Sequence, residues 1–549
     1  MVDGPTEESE RVHRYIHDVI GQYKVYETSD KGKVVYHPSR LTEAVIYGLH
    51  ACNLGGAPAV WDGRQYVFGT EALAYVVEVA CPSASDSANK SAVKKILARL
   101  KLERDFDLPA PGLIRYENCV YDCETGKATP LDKTSWQSRI PNPIPHPLHL
   151  DAPAVGVVDK FLDDLVDGHE DIRRNILQVV FLCMARYMHH EQVAVLIGQG
   201  ANGKSKLVDV LLRVVGMDNA SFLSLDRMAN RFEVGDLAGS LVNLSNDISS
   251  EYLSGDKTSI WKQVSGGDVV KADVKNLPGY AFKPYTFLVI VGNALPRMEG
   301  GIDKAVSRRL HVIPFTHSFR DANGRYSEDA DPHIVEKICE PASMAYLIRL
   351  AIEEGRRMLA QREFRLTPNY ASEAEVHKLA LDNSSVLSWA DYVALTEKDL
   401  HMQRGQTVYE RYSNWCKRAQ LKAVSSSRFN DEITTQYAGV ECVTTRAERY
   451  VAAASGLMAK ERTAQYGAFA IAEQYEAERA SHVTYCEVVG TRQTMTSVSV
   501  SDSGDRRENH KVEQVALGVR PATALPTPDH AGRLFVPDAW WEEHARYEE

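Results

Sequence analysis

The residues Gly198-Gln199-Gly200-Ala201-Asn202-Gly203-Lys204-Ser205 have the G-x-x-x-x-G-K-[ST] spacing of a phosphate-binding loop. Glycines let the backbone wrap closely and aim its N–H groups at phosphate oxygens. Lys204 brings a point charge to the terminal phosphates, and the Ser205 hydroxyl is a ligand for Mg²⁺. The context is the required one. The apolar run Val193-Ala194-Val195-Leu196-Ile197 precedes the loop as a buried strand, and Leu207-Val208-Asp209-Val210-Leu211-Leu212 follows it as a helix. That helix points the positive end of its dipole at the same anion. The expected nucleotide contacts are Gly198, Gly200, Ala201, Asn202, Gly203, Lys204, Ser205 and Lys206, with ATP and Mg²⁺ as the expected ligands.

Hydrolysis needs more than a loop. An acidic group at the end of a neighbouring apolar strand holds the metal and polarises water. Leu241-Val242-Asn243-Leu244-Ser245-Asn246-Asp247 fits, with Asp247 as the acid and second metal ligand and Glu251 as the nearby alternative. The next apolar strand, Tyr285 to Val291, delivers Asn293, whose amide both donates and accepts and so suits a sensor of the γ-phosphate and water. Arg308 and Arg309 precede a further strand, Leu310-His311-Val312-Ile313. In a ring of subunits such an arginine stabilises charge at the neighbour's nucleotide. Between the acidic and the Asn-tipped strands, Ser265-Gly266-Gly267-Asp268 leads into an alternating segment bearing Lys271 and Lys275. A hairpin there would hold both lysines on a projecting loop, where they can grip phosphates without reading sequence.

In this order and this close together, the motifs resemble those of the superfamily 3 helicases, specifically the phage, plasmid and poxvirus primase-helicase branch. The resemblance extends to Tyr116-Glu117-Asn118-Cys119-Val120-Tyr121-Asp122-Cys123, which looks like the element preceding the family's helical collar. Phe161-Leu162 and the helices to Tyr187 look like the collar. Val408 to Cys416 with Ser425 to Phe429 look like its C-terminal winged-helix domain. The resemblance implies an AAA+-like core, a hexameric ring, and 3′-to-5′ movement on single-stranded or forked DNA driven by ATP. It implies that Lys271 or Lys275 contacts the strand, and it favours Arg309 over Arg308 as the residue acting in trans. It also brings in a separate primase or replication initiator as a partner. Two departures stand out: the acidic strand ends in Asn246-Asp247 rather than in two acids, and Cys119 replaces a frequent glycine.

The implied fold class is α/β, an AAA+-like P-loop ATPase core with flanking domains. The expected organisation is a mixed α+β N-terminal region at 1–150, closing on the proline-rich linker Ile140 to Pro147, and a helical collar at 151–190. The ATPase core follows at 191–330, then a helical segment at 331–395, a winged-helix-like domain at 396–455 and an irregular C-terminal region at 456–549. Within the first region, residues 91–102 read as a basic helix and Pro58 to Phe68 as a hairpin around Asp62-Gly63.

With 549 residues, 44% hydrophobic and 25% charged, the composition is that of a globular protein. No apolar run approaches a membrane span, so no membrane partner is expected, and the acidic start Met1 to Glu8 has no signal core. Nine scattered cysteines suit a reducing compartment, here the cytoplasm of a bacterial host if the gene is carried by a phage or plasmid. The net charge of −11 is an average that leaves room for a basic channel. Two other readings carry less. A primase needs a D-x-D pair on an apolar strand, and Asp105-Phe106-Asp107 instead follows a charged run. Cys119 and Cys123 with His146 and His149 have zinc-like spacing, but buried thiols explain the cysteines as well. The alternatives to a helicase are thus a bifunctional primase-helicase and an ATP-dependent initiator or loader that binds DNA without unwinding it.

Overall fold

The computed structural model describes residues 7–471, apart from 29, 31–33, 132–134, 188–190, 247–254, 294–303, 322, 328–329, 362–363, 402, 438–439, 447–448, 453–457 and 462–464. Chain contacts divide the protein into Met1–Leu379 and Ala380–Glu549, a cut that falls inside the helical segment expected at 331–395.

The first unit begins with the helix Glu7–Gln22 and the small pair β1 (Tyr26–Thr28) and β2 (Val34–Tyr36). A four-stranded sheet follows, from β3 (Cys52–Leu54), β4 (Ala57–Trp61), β5 (Tyr66–Phe68) and the edge strand β6 (Asp105–Phe106), in the order β5-β4-β3-β6. The β4–β5 turn is the expected Asp-Gly turn: Asp62 Oδ1 accepts from the Arg64 and Gln65 amides, and Gly63 takes φ +97°. The helices Thr70–Ala80 and Asp86–Glu103 close an apolar core around Leu41, Val45, Leu73, Val77, Ile96 and Leu100.

The antiparallel strands β7 (Leu113–Arg115), β8 (Cys119–Asp122) and β9 (Lys127–Pro130) form a separate sheet. Its Tyr116, Cys119, Tyr121 and Cys123 share a core with the helices Gly156–Leu165 and Glu170–Met184, the segment expected to form a collar. The proline-rich stretch between them is a fixed strap rather than a free linker. Ile140 to Ile144 are buried. Asn142 Nδ2 donates to Asn219 Oδ1 at 2.9 Å and to Gly239 O at 2.6 Å, and Asn142 Oδ1 accepts from the Tyr285 hydroxyl at 2.8 Å.

The centre of the unit is a five-stranded sheet of β10 (Val193–Ile197), β11 (Ala220–Ser221), β12 (Val242–Asn246), β15 (Phe287–Gly292) and β16 (Leu310–Pro314). An antiparallel hairpin, β13 (Val270–Val274) and β14 (Leu277–Phe282), is inserted before β15. The sheet order is β11-β12-β15-β10-β16, with every pairing parallel. All five residues of β10 are buried, as both faces of a parallel sheet must be when layers cover them. The two faces feed different cores. Ala194, Leu196, Val289 and Ile313 face the collar and the helices Lys204–Val215 and Pro341–Leu359. Val193, Val195, Leu288 and Val312 face Trp261 and Val264 of the helix Gly255–Gly266 and the inner side of the hairpin.

The edge strand β16 is covered by a polar network instead of another strand. The Val312 amide donates to Ser372 Oγ at 2.8 Å, and Asn369 Nδ2 donates to Val312 O at 3.3 Å. Asn369 also lies 3.2 Å from His311 Nε2 and bonds the collar's Asn175 at 2.8 Å, while Gln178 binds both the amide and the hydroxyl of Thr367. Side chains thus occupy backbone groups that an open edge would leave for another chain.

The second unit packs the helices Ser385–Tyr392, Glu397–Leu400, Gly405–Arg418 and Ser426–Gln436 around Trp389, Tyr412 and Phe429. The strands β17 (Val440–Arg446), β18 (Arg449–Ala452), β19 (Met458–Glu461) and β20 (Gln465–Ile471) pair antiparallel as β17–β20 and β18–β19. The rest of the region expected to be irregular, residues 472–549, lies outside the described residues.

Burial pushes the His311 imidazole down to about 4 from its ordinary 6.5. Between these values the unfolded chain takes up a proton that the folded chain refuses, so the contribution is complete above pH 6.5 and is lost as pH falls toward 4. The free energy of unfolding of the first unit is expected to fall over that window by on the order of 3 kcal/mol, measured by urea titration. His311→Gln should flatten this part of the profile; an unchanged slope in that variant would mean other groups carry it.

Candidate functional site

The expected phosphate loop, residues 198–205, is set by close packing. A Cβ on Gly198 would lie 2.0 Å from Asn202 Nδ2 and 2.5 Å from Phe315 O, and one on Gly203 would lie 2.3 Å from Leu165 Cδ2 of the collar. Ala201 and Gly203 take φ +61° and +82°, the left-handed region that turns the chain sharply. The helix Lys204–Val215 then starts at Gly203 with no side-chain cap, which leaves its first N–H groups for an anion. Lys204 is 7% exposed. Its ammonium donates to Gly198 O and, at 3.0 Å, to Asn202 Oδ1, and no carboxylate among the described residues forms an ion pair with it. Burial pulls its pKa below the usual lysine value. A buried cation held by neutral oxygens, beside a glycine cradle and an uncapped helix start, fits a polyphosphate. Ser205 is exposed next to it.

The register brings the other expected residues to the same edge. Ile197 pairs with Gly292 and with Pro314, and Asn246 pairs with Val291. The tips of β10, β12 and β15 therefore lie together, with Gly198 leaving one, Asn293 another, and the chain toward Asp247 the third. Asn293 is exposed there. Asp247 and Glu251 lie outside the described residues.

Arg308 and Arg309 stand at the opposite end of the sheet. Leu310 pairs with Val193, four residues or ~13 Å along the strand from the loop end, so neither arginine reaches its own phosphate loop. The two differ sharply. Arg309 is buried, with Nε donating to Ser265 Oγ at 3.2 Å and Nη1 to Ala305 O at 2.8 Å. The Arg308 side chain is 51% exposed and meets Glu191 at 2.8 Å. The resemblance favours Arg309 for work in trans, yet its guanidinium is engaged inside its own chain and Arg308 is the one facing solvent. Glu191, which pairs with both, carries no sequence signal beyond being an acid before the loop strand.

The hairpin forms as expected, turning at Lys275-Asn276 with Asn276 at φ +65°. Lys271 and Lys275 are exposed, and Lys271 sits 3.9 Å from Asp273. What the sequence does not announce is its neighbour. The Lys283 amide donates to Gly55 O at 3.1 Å, and a Cβ on Gly56 would lie 2.4 Å from Ala281 O. The N-terminal lobe thus packs along β14, and the Gly55-Gly56 pair is the trace of that close approach.

The remaining candidates resolve simply. Cys119 and Cys123 are core thiols whose pKa values burial raises, and His146 lies 2.8 Å from Arg213 O. Among the described residues, no three His, Cys, Asp or Glu side chains cluster to hold a metal. Asp105 and Asp107 are exposed on and beside the two-residue strand β6. In the second unit Tyr412 and Phe429 are core, while Lys417, Arg418 and Lys422 are exposed.

Residues 196–309 match a family of unknown function, DUF5906; the match begins in β10 and ends at Arg309. A protein of Acanthamoeba polyphaga mimivirus named "Putative helicase L207/L206" is 29% identical over 160 residues, 28% of this chain. That match spans only 16% of the viral protein. Among solved structures, the A-form apo NrS-1 C-terminal region aligns at 12% identity over 77% of this chain and 95% of that one, with a TM-score of 0.41. A second apo structure of the NrS-1 C-terminal region aligns at 12% over 76% and 95%, also with a TM-score of 0.41. No helix among the described residues is long and apolar enough to cross a membrane.

The two arginines should separate in stability. Arg309→Ala is expected to cost about 2 kcal/mol, because it strips partners from the buried Ser265 hydroxyl and the Ala305 carbonyl. Arg308→Ala is expected to cost within about 0.5 kcal/mol, as exposed pairs do. Urea unfolding of each variant measures both, and equal losses would contradict the burial difference.

Proposed function

We propose that this chain is the ATP-driven motor of a replicative DNA helicase of the superfamily 3 kind, with an AAA+-like P-loop core, working as a ring on single-stranded DNA in the 3′-to-5′ direction. The observation that carries the reading is the two-ended sheet. The phosphate loop and the Asn293 strand tip share its carboxyl edge, where open α/β sheets bind ligands. A solvent-facing arginine stands at the other edge, out of reach of that loop. An arginine so placed serves hydrolysis only from one subunit to the next. The likeness to a helicase-named viral protein points the same way, and the exposed Lys417, Arg418 and Lys422 on the second unit suit a winged-helix contact to DNA.

In this reading Gly198 to Lys206 hold the nucleotide, and Ser205 and Asp247 hold Mg²⁺, which neutralises phosphate charge when bound. Lys204 exchanges Gly198 O and Asn202 Oδ1 for phosphate oxygens, a trade of neutral acceptors for charged ones. Asn293 orients the attacking water. Arg308 of one subunit stabilises charge at the next, and Lys271 and Lys275 grip the strand.

Lys204→Ala and Arg308→Ala are each expected to lower ATP turnover by about a hundredfold or more. Mixed together, the two variants should regain part of it, because some interfaces then carry an intact loop facing an intact arginine. Wild-type turnover in Lys204→Ala would end the P-loop assignment. Absence of rescue at any ratio would remove action in trans. A forked duplex with a single 3′ tail should be unwound and one with a single 5′ tail should not; failure on both favours a loader that binds without unwinding.

A further inference from the structure

The helix Asp86–Glu103 of the N-terminal lobe carries Lys90, Lys94, Lys95, Arg99 and Lys101 against Asp86 and Glu103, in a chain whose net charge is −11. Arg99 is used locally, 2.8 Å from Glu103 and 5.9 Å over the Tyr47 ring. The four lysines are exposed, and none is in an ion pair among the described residues. Such a face is ordinarily just solvated. Here its position gives it more to do.

The helix buries Ala92, Val93, Ile96 and Leu100 in the N-terminal core, with Leu97 half-buried at the border. At 3.6 residues per turn, Lys90, Lys94 and Lys101 fall on one strip adjoining Leu97. Leu277 of the motor hairpin packs against that same core, and the helix is packed against β14. Leu277 is two residues past Lys275, which forms the hairpin turn. The helix that bears the strip is therefore packed against the strand that leaves the hairpin turn, and the strip extends roughly 16 Å along it.

We propose that Lys90, Lys94 and Lys101 continue the track begun by Lys271 and Lys275, and that this track binds the phosphate backbone of single-stranded DNA. The N-terminal lobe is then part of the strand path rather than a separate module. The inference rests on the motor reading above. The occupant follows from charge: the helix lysines, point cations in a row with no ion-pair partner among the described residues, in an otherwise acidic protein, suit a flexible polyanion gripped without base readout. The exposed Tyr47 ring beside Arg99 offers a surface on which a base can stack.

The test uses the full chain with the combined substitutions Lys90→Glu, Lys94→Glu and Lys101→Glu. Binding of a fluorescent oligothymidylate is followed by anisotropy across a salt series, with a non-hydrolysable ATP analogue present. Expected are a loss of about tenfold or more in affinity at low salt and a log–log salt slope shallower by about 2, at ~0.7 per lost phosphate contact. Arginine at the same three positions should bind as wild type, and matching urea midpoints establish that the glutamate variant is folded. Binding within twofold of wild type at an unchanged slope overturns the inference. If Lys275→Ala weakens binding in that same series, the motor reading survives that failure. A wild-type protein that binds no single-stranded DNA with or without nucleotide overturns both.

Discussion

The first unit of this protein depends on the parallel register of β10 with β15 on one side and β16 on the other. Because Ile197 is opposite both Gly292 and Pro314, three chains leave the sheet at one level, and what leaves is a glycine loop, an asparagine and a segment beginning with Phe315. The register in turn depends on burial. Alternate residues of β10 enter two separate cores, so a slip by one position would swap Ala194 and Leu196 with Val193, Val195 and Ile197 and mismatch both faces at once. The loop geometry is then no longer free. Gly198 faces Asn202 and Phe315, Gly203 faces Leu165, and neither position has space for a side chain.

Much of this is legible in the sequence because its causes are local. The glycine spacing, the apolar strands with polar tips, the Asp-Gly turn and the basic helix all reflect backbone preference or simple periodicity. What is not legible depends on contacts far apart in the chain. Nothing in Ser307-Arg308-Arg309 says that one guanidinium is enclosed by Ser265 and Ala305 while its neighbour is open. Ile140 to Pro147 read as a linker because prolines break helices and strands. The strap is fixed by Asn142, whose partners Asn219, Gly239 and Tyr285 come much later. The cysteine and histidine spacing near 119–149 imitates a metal site until the thiols are seen to point into the collar core.

The collar also does more than cover a face. Leu165 closes the phosphate loop from below, and Asn175 and Gln178 run through Thr367 and Asn369 to His311 and Val312. A polar network of this size is costly in a core unless every member is satisfied. Here the members satisfy one another and, in doing so, occupy the open edge of β16. An apolar cover would have left the Val312 amide and carbonyl unpaired, so polarity at this place is required by the edge strand itself.

That makes β16 the element where the separate constraints meet. One end carries Arg308 and Arg309, tied to Glu191 at the foot of β10. The other end carries Phe315, whose carbonyl accepts from Asn202, which in turn holds Lys204. The Phe315 amide donates to Ile197 O, and the Phe319 amide to Ala201 O. A change in the partners of Lys204 must therefore be accommodated by Asn202 and so by the strand whose far end bears the arginines. Five residues of hydrogen-bonded strand, gripped along one edge by β10 and along the other by the collar network, leave little freedom to absorb such a change locally. One strand thus joins the Lys204 side of the sheet to the arginine side.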